Sequence, residues 1–164
     1  KSLIATDHPL GGGGSLANRA TTMADLNETS LEDNLIGIST FTDDRGLNIA
    51  LRGMKLIVPP QLVFVADRLL QSPGRTATSD NDINAINNMN SMLPNGYVVN
   101  HYLTDTDAYF IKTDCPDGFK YFERSPMQTA LEGDFDTGNM RYKARERYSF
   151  GYSNFRAVYG SQGA

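Results

Sequence analysis

The spacing of apolar positions changes character along the chain, and the change near residue 97 divides it into a helix-bearing part and a strand-rich part. Leu26, Leu31, Leu35, Ile38 and Phe41 recur at steps of three to five, which predicts an amphipathic helix within 24–41. Asp25 or Asn27 can cap it, with Glu28, Glu32 and Asp33 near its positive end. Lys55-Leu56-Ile57-Val58 reads as a short strand stopped by Pro59-Pro60. Leu62, Val63, Val65, Ala66, Leu69 and Leu70 then return to helical spacing, until Ser72-Pro73-Gly74 ends the run. The stretch 75–95 is rich in Asn, Asp, Ser and Thr and predicts a loop with one short helix around Ile83 to Met89.

From Tyr97 the period is two: Tyr97-Val98-Val99 and Ala108-Tyr109-Phe110-Ile111 are strand-like and bounded by Asn, Asp and Gly. Helices packed on a small mixed sheet, followed by longer antiparallel strands, predict an α+β fold. Residues 127–150 read as a hairpin whose turn is Asp136-Thr137-Gly138-Asn139. Closing it there pairs Phe135 with Met140, Asp134 with Arg141 and Glu132 with Lys143, so that acid faces base twice. Arg145, Arg147 and Arg156 have no acid opposite them in that scheme. They form a cationic strip for an acidic neighbouring subunit or for DNA, the alternative being a solvated polar face. At strand spacing, Tyr142, Tyr148, Phe150, Tyr152, Phe155 and Tyr159 are expected in the core or in subunit contacts and not as nucleobase-stacking groups.

Composition narrows the function. With 164 residues, 40% hydrophobic and 21% charged, the chain has material for one core. A net charge of -4 argues against a dedicated nucleic-acid binder, whose phosphate affinity needs clustered Lys and Arg. Cys115 is the only cysteine, which excludes an intrachain disulfide and a multi-cysteine zinc site. No apolar run approaches the roughly 20 residues of a membrane helix, and no membrane partner is expected. The chain opens at Lys1 on Leu3-Ile4-Ala5 and the turn-like Thr6-Asp7-His8-Pro9, and is read as a fragment, a processed product or the ordered part of something longer.

Catalytic spacing is not found. His8 and His101 are far apart and lie in no metal-binding motif, and neither Cys115 nor any serine sits in a nucleophile signature. Asp105, Asp107 and Asp114 lie near strands, but Thr104-Asp105-Thr106-Asp107 reads most simply as a turn. Asp80-Asn81-Asp82 only begins a calcium loop. Gly11 to Gly14 lacks the Lys-Ser or Lys-Thr that a phosphate loop requires. No cofactor or metal is expected.

Several strings resemble the major head subunits of Mu-like tailed phages and prophages. They are Leu3-Ile4-Ala5-Thr6-Asp7-His8-Pro9-Leu10, Asp25-Leu26-Asn27-Glu28-Thr29-Ser30-Leu31-Glu32, Arg45-Gly46-Leu47, Lys55 to Leu62, and Arg141 to Gly151 with Asn154-Phe155-Arg156. The resemblance implies the tailed-phage capsid fold of the Hong Kong phage type. Residues 1–120 would be mostly axial-domain material and 121–164 mostly peripheral-domain strands, without the family's amino-terminal arm and extended loop. It also implies a non-enzymatic subunit that self-assembles as hexamers and pentamers into an icosahedral head around double-stranded DNA. Scaffolding, portal or decoration proteins would be further partners, contact with the packaged DNA would be weak and non-specific, and the protein would reside in the virion after assembly in the host cytoplasm. A head-decoration or head-tail adaptor module is the first alternative, and a hydrolase resting on His101 and the nearby aspartates the second.

Overall fold

A computed structural model describes residues 1–75, 82–88 and 92–164. The chain divides into two units: Lys1–Gly118 together with Asn154–Ala164, and Phe119–Ser153. The first opens with a two-stranded antiparallel pair, β1 (His8–Pro9) and β2 (Ser15–Leu16). Helix α1 (Glu28–Ser39) follows, capped by Asn27 in a reciprocal box with Ser30: the Ser30 amide donates to Asn27 Oδ1 at 2.8 Å, and the Asn27 amide to Ser30 Oγ at 3.0 Å. Of the two expected caps the structure uses Asn27.

Strand β3 (Gly53–Val58) leads through a 3₁₀ turn at Pro60–Leu62 into α2 (Val63–Gln71), and the short α3 (Ala85–Asn88) precedes β4 (Tyr97–Val99). Because β4 runs parallel to β3, the chain must cross over between them, and the stretch holding α2 makes that crossover. Strand β5 (Tyr109–Thr113) lies antiparallel to β3 on its other edge. The short helix expected around Ile83 to Met89 is seen at 85–88, while Met89 lies outside the described residues.

The second unit is one ribbon, β6 (Phe119–Gly133) paired antiparallel with β7 (Met140–Tyr152). The chain then returns: after a 3₁₀ turn at Phe155–Ala157, β8 (Val158–Ser161) joins β5 and completes a four-stranded sheet in the order β4-β3-β5-β8. The expected grouping of 121–164 is therefore corrected at its end, because the ladder from β5 to β8 ties 154–164 to the first unit.

One core holds the first unit together. Leu31, Leu35 and Ile38 of α1, Ala66 and Leu69 of α2, and Leu56, Val58, Tyr109, Ile111 and Tyr159 of the sheet share it. These are the residues that the helical and strand periods marked as apolar, and their burial is the main stabilising term. A polar keystone sits beside them. The fully buried Asn18 shares its amide among the carbonyls of Leu3, Phe155 and Val158 at 2.8–3.1 Å, while its Oδ1 accepts from the Ala5 amide.

Candidate assembly surface

The ribbon's register follows from its loop. Gly133 faces Met140, Glu132 faces Arg141, Ala130 faces Lys143 and Gln128 faces Arg145. The expected pairing of Glu132 with Lys143 is thus corrected to Glu132 with Arg141. Asp134 and Arg141 do form an ion pair, at 2.6 Å, but diagonally and not as direct partners. The reason lies in the turn, where Asp134 is taken up by the loop. Its amide donates to the Asn139 carbonyl, its carbonyl accepts from the Gly138 amide, and its carboxylate accepts from the Asp136 amide and the Thr137 hydroxyl. Gly138 closes the loop at φ +67°, a conformation that glycine adopts without steric cost. Each strand therefore meets the residue two places along from the one the charge pattern selected, and a shift of two keeps every side chain on its expected face.

Nearer its base the ribbon is bulged. The register slips between Glu123 and Ser125 and again between Ser125 and Gln128, the second slip spanning Pro126, which has no amide to give the ladder. Along β7 alternation separates two faces. Met140, Tyr142, Tyr148, Phe150 and Tyr152 lie on one, and Arg141, Lys143, Arg145 and Arg147 on the other. Strand β6 matches the first face with Phe119, Tyr121 and Leu131. The rings of Tyr121, Tyr148 and Phe150 pack on one another with centroids 5.2–5.9 Å apart, yet each is at least half exposed. Partial burial there, and then the charges of Glu123 and Glu146, push the Tyr121 hydroxyl above the ordinary tyrosine range. Both glutamates therefore lie on the aromatic side.

Of the three expected interface cations the ribbon holds two. Arg145 stands opposite Gln128 and Arg147 opposite Ser125, both exposed, and among the described residues neither forms an ion pair. Arg156 is a correction. It is 6% exposed in the first unit, where Nε donates to the Thr42 carbonyl at 2.8 Å, Nη2 to Asp44 at 2.9 Å, and the guanidinium lies over the Phe155 ring. Its charge is already committed within the chain, so it is no outward-facing contact. Of the aromatic series, Tyr159 is core and Phe155 stacks on His8 at 4.0 Å, whereas Tyr142, Tyr148, Phe150 and Tyr152 are exposed on the ribbon. Leu131 belongs to the alternating run that marks the first hairpin strand, whereas Tyr121 lies before that run and is shown only by the structure, although Phe119 and Tyr121 already have strand period.

The other reactive side chains are held by local structure. His8 is buried with Nε2 3.1 Å from Asn18 Oδ1. His101 lies in an exposed turn, and the Asp105 carboxylate accepts from the Asp107 amide. Asp114 accepts from the Arg52 amide and pairs with its guanidinium. Burial raises the Cys115 thiol above its usual range, leaving less thiolate for nucleophilic work. A concavity of about 390 Å³ beside α1 is lined by Thr21, Asn27, Asp33, Asn34, Tyr109 and Tyr159, with neither His nor Cys. Among the described residues no three His, Cys, Asp or Glu gather as a metal site, and no helix is long and apolar enough to cross a membrane. The calcium-loop candidate falls partly on Asp80 and Asn81, which lie outside the described residues.

The chain combines a small helix-on-sheet unit with a long two-faced ribbon whose aromatic and cationic side chains are exposed, an α+β protein with a large uncovered surface on its ribbon. The comparisons agree with that class: a family model described as "Phage capsid protein" matches residues 3–161, and the chain belongs to that family. Among solved structures it is similar to one titled "Crystal structure of virus-like particle from Pyrococcus furiosus". The TM-score is 0.51 at 13% identity, over 87% of this chain and 55% of that one, a likeness of fold. The chain thus spans about half of that structure's length. No curated protein matches it.

Proposed function

We propose that this chain is part of a major capsid subunit of a tailed phage or prophage, and that it assembles with copies of itself into a head enclosing double-stranded DNA. The observation that carries the reading is the family match across nearly the whole chain. The capsid fold of the Hong Kong phage type and the Mu-like identity are the finer parts of the proposal, supported by the likeness to a virus-like particle subunit and by the strings at both ends of the chain. The sheet-and-helix unit serves as the axial-type domain and the ribbon as peripheral-type strands. An isolated two-stranded ribbon is marginal in water, so a long one with aromatic side chains in solvent is best explained by a partner that covers it. Arg145 and Arg147 supply its cationic contacts to neighbouring subunits or packaged DNA. The work is structural, not catalytic, and its place is the virion.

Negative-stain electron microscopy of the purified gene product containing this chain tests the proposal, with rings or shells expected. Discrete monomers that decorate pre-formed heads would instead establish the adaptor reading.

A further inference from the structure

Arg19 carries a buried donor that the described residues leave without an acceptor. Its backbone is fixed on the edge of the sheet: Arg19 bridges to Gly160 of β8 in parallel, the Ala20 amide donates to the Gly160 carbonyl at 3.2 Å, and the Gly160 amide donates to the Asn18 carbonyl at 3.1 Å. The side chain leaves from this fixed point, and its Nε is closed to solvent with no partner. Among the described residues Nη2 meets only the Met23 thioether, at 3.3 Å. Arg52, Arg75, Arg141 and Arg156 each hold a carboxylate, whereas Arg19, among the described residues, holds none. A closed N–H without an acceptor is unfavourable and points to a missing one. Nε and Nη2 are donors on one edge of the guanidinium, the edge that a carboxylate takes with both oxygens. A thioether accepts weakly, and the unbranched, 41% exposed Met23 has the freedom to leave.

We propose that the Nε–Nη2 edge of Arg19 is a binding site for the carboxylate of an Asp or Glu side chain, brought by the remainder of the subunit or by a second copy, and that Met23 holds its place until it arrives. The site rests on the reading of this chain as part of an assembling subunit only for the source of that carboxylate. Its chemistry follows from the unfilled donors themselves. A protein carboxylate is favoured over a nucleic-acid phosphate because Arg19 is the only Lys or Arg between Lys1 and Arg45, and Lys1 is paired with Asp7. Phosphate backbones are held by clustered cations, whereas a single guanidinium edge with two adjacent donors matches a single carboxylate. Anchoring on β8 keeps that edge in one place, so an arriving acid binds a preformed site and displaces only a flexible side chain.

The test uses the purified gene product containing this chain, mixed from unlabelled and nitrogen-15-labelled copies. Arg19→Lys places an amine at the edge, and a water-soluble carbodiimide joins that amine to a carboxylate in contact with it: the amide C–N bond forms, and the carbodiimide takes up the lost water as a urea. Mass spectrometry should find the peptide holding position 19 joined to a peptide holding an Asp or Glu. Pairs of like isotope alone place the carboxylate in the same subunit, and mixed pairs place it in a second copy; both uphold the site. No pair at position 19, or a pair to a described acid of the first unit, overturns it. Arg19→Met is the second arm, with circular dichroism to check that it folds. An apolar side chain relieves an orphan charge but strands a paired carboxylate, so the melting temperature of the product should fall by roughly 5 °C or more. An unchanged or higher melting temperature overturns the pairing. Nucleic acid lost from Arg19→Met particles, with no pair at position 19, would assign the edge to phosphate and overturn the carboxylate. Pairs at position 19 in a product that never forms shells would uphold the site and remove the capsid reading.

Discussion

Arg156 reaches back across more than a hundred residues of sequence to hold Asp44, its Nη2 2.9 Å from the carboxylate while Nε donates to the neighbouring Thr42 carbonyl. The turn before β8 is thereby tied to the loop that follows α1, and each removal of the arginine leaves a carbonyl without its donor.

Arg156→Ala should destabilise the first unit by about 1–3 kcal/mol. The hydrogen bond from a charged donor supplies most of this, and the figure is discounted because Asp44 is largely exposed. Arg156→Lys should recover little, since an ammonium lacks the planar fork that reaches both acceptors. Urea unfolding of the two variants measures the difference, and full recovery by lysine would show that charge alone matters.

Asn18→Leu should cost more, on the order of 4 kcal/mol, because it strands the Ala5 amide and the carbonyls that Asn18 serves in a fully buried place. The expected result is a large drop in urea midpoint. A loss below about 1 kcal/mol would mean that water replaces the side chain there.

Two glycines predict an order of severity. A Cβ at Gly118 would sit 2.2 Å from that of Ala157, which has no rotamer to move, whereas one at Gly53 would meet the Leu35 and Ile111 methyls at 2.8 and 3.0 Å. Gly118→Ala should therefore destabilise by about 2–3 kcal/mol and Gly53→Ala by less. Thermal melts of the pair give the ranking, and a reversed order would contradict these close approaches.

The ribbon's register can be trapped covalently. In a Cys115→Ser background, cysteines at Glu132 and Arg141 should oxidise readily to a disulfide, and cysteines at Glu132 and Lys143 should not, because direct partners alone bring Cβ atoms within about 4.5 Å. Non-reducing mass spectrometry of peptides decides between them.

Cys115 should react slowly with thiol reagents at mildly alkaline pH. Burial disfavours its thiolate and lifts its pKa above the ordinary thiol range, the nearby Arg156 offsetting this only in part. Because the folded value is raised, the rate should keep climbing with pH beyond the range in which an ordinary thiol has levelled off, and denaturant should remove the difference. A rate already level at that point would show that the folded thiol is not shifted.

Much of this was legible in the residues. The apolar steps from Leu26 to Phe41 located α1, Pro59-Pro60 separated β3 from α2, and alternation of basic and aromatic residues in 141–152 marked β7. These signals are local, set by side-chain period and by the backbone limits of proline, so one chain suffices to read them. The turn read at Asp136-Thr137-Gly138-Asn139, together with its charge matching, placed the ribbon register two residues away, and the exposed acid-base pairs that supported it are worth only a few tenths of a kcal/mol to about 1 kcal/mol. A loop that offers Asp134 several hydrogen bonds and gives Gly138 its positive φ outweighs them.

What the sequence determined by itself is α1, α2, β3, β4, β5 and the two faces of the ribbon, whose alternation survives any even shift of register. The tertiary structure decided which charges are still available. Arg145, Arg147 and Arg156 look alike in sequence, yet only the fold, by pairing β8 with β5, carries Arg156 to Asp44 and leaves the other two in solvent. That choice depends on contacts between residues more than a hundred positions apart, whose closure depends on the packing of the whole core and not on any local propensity.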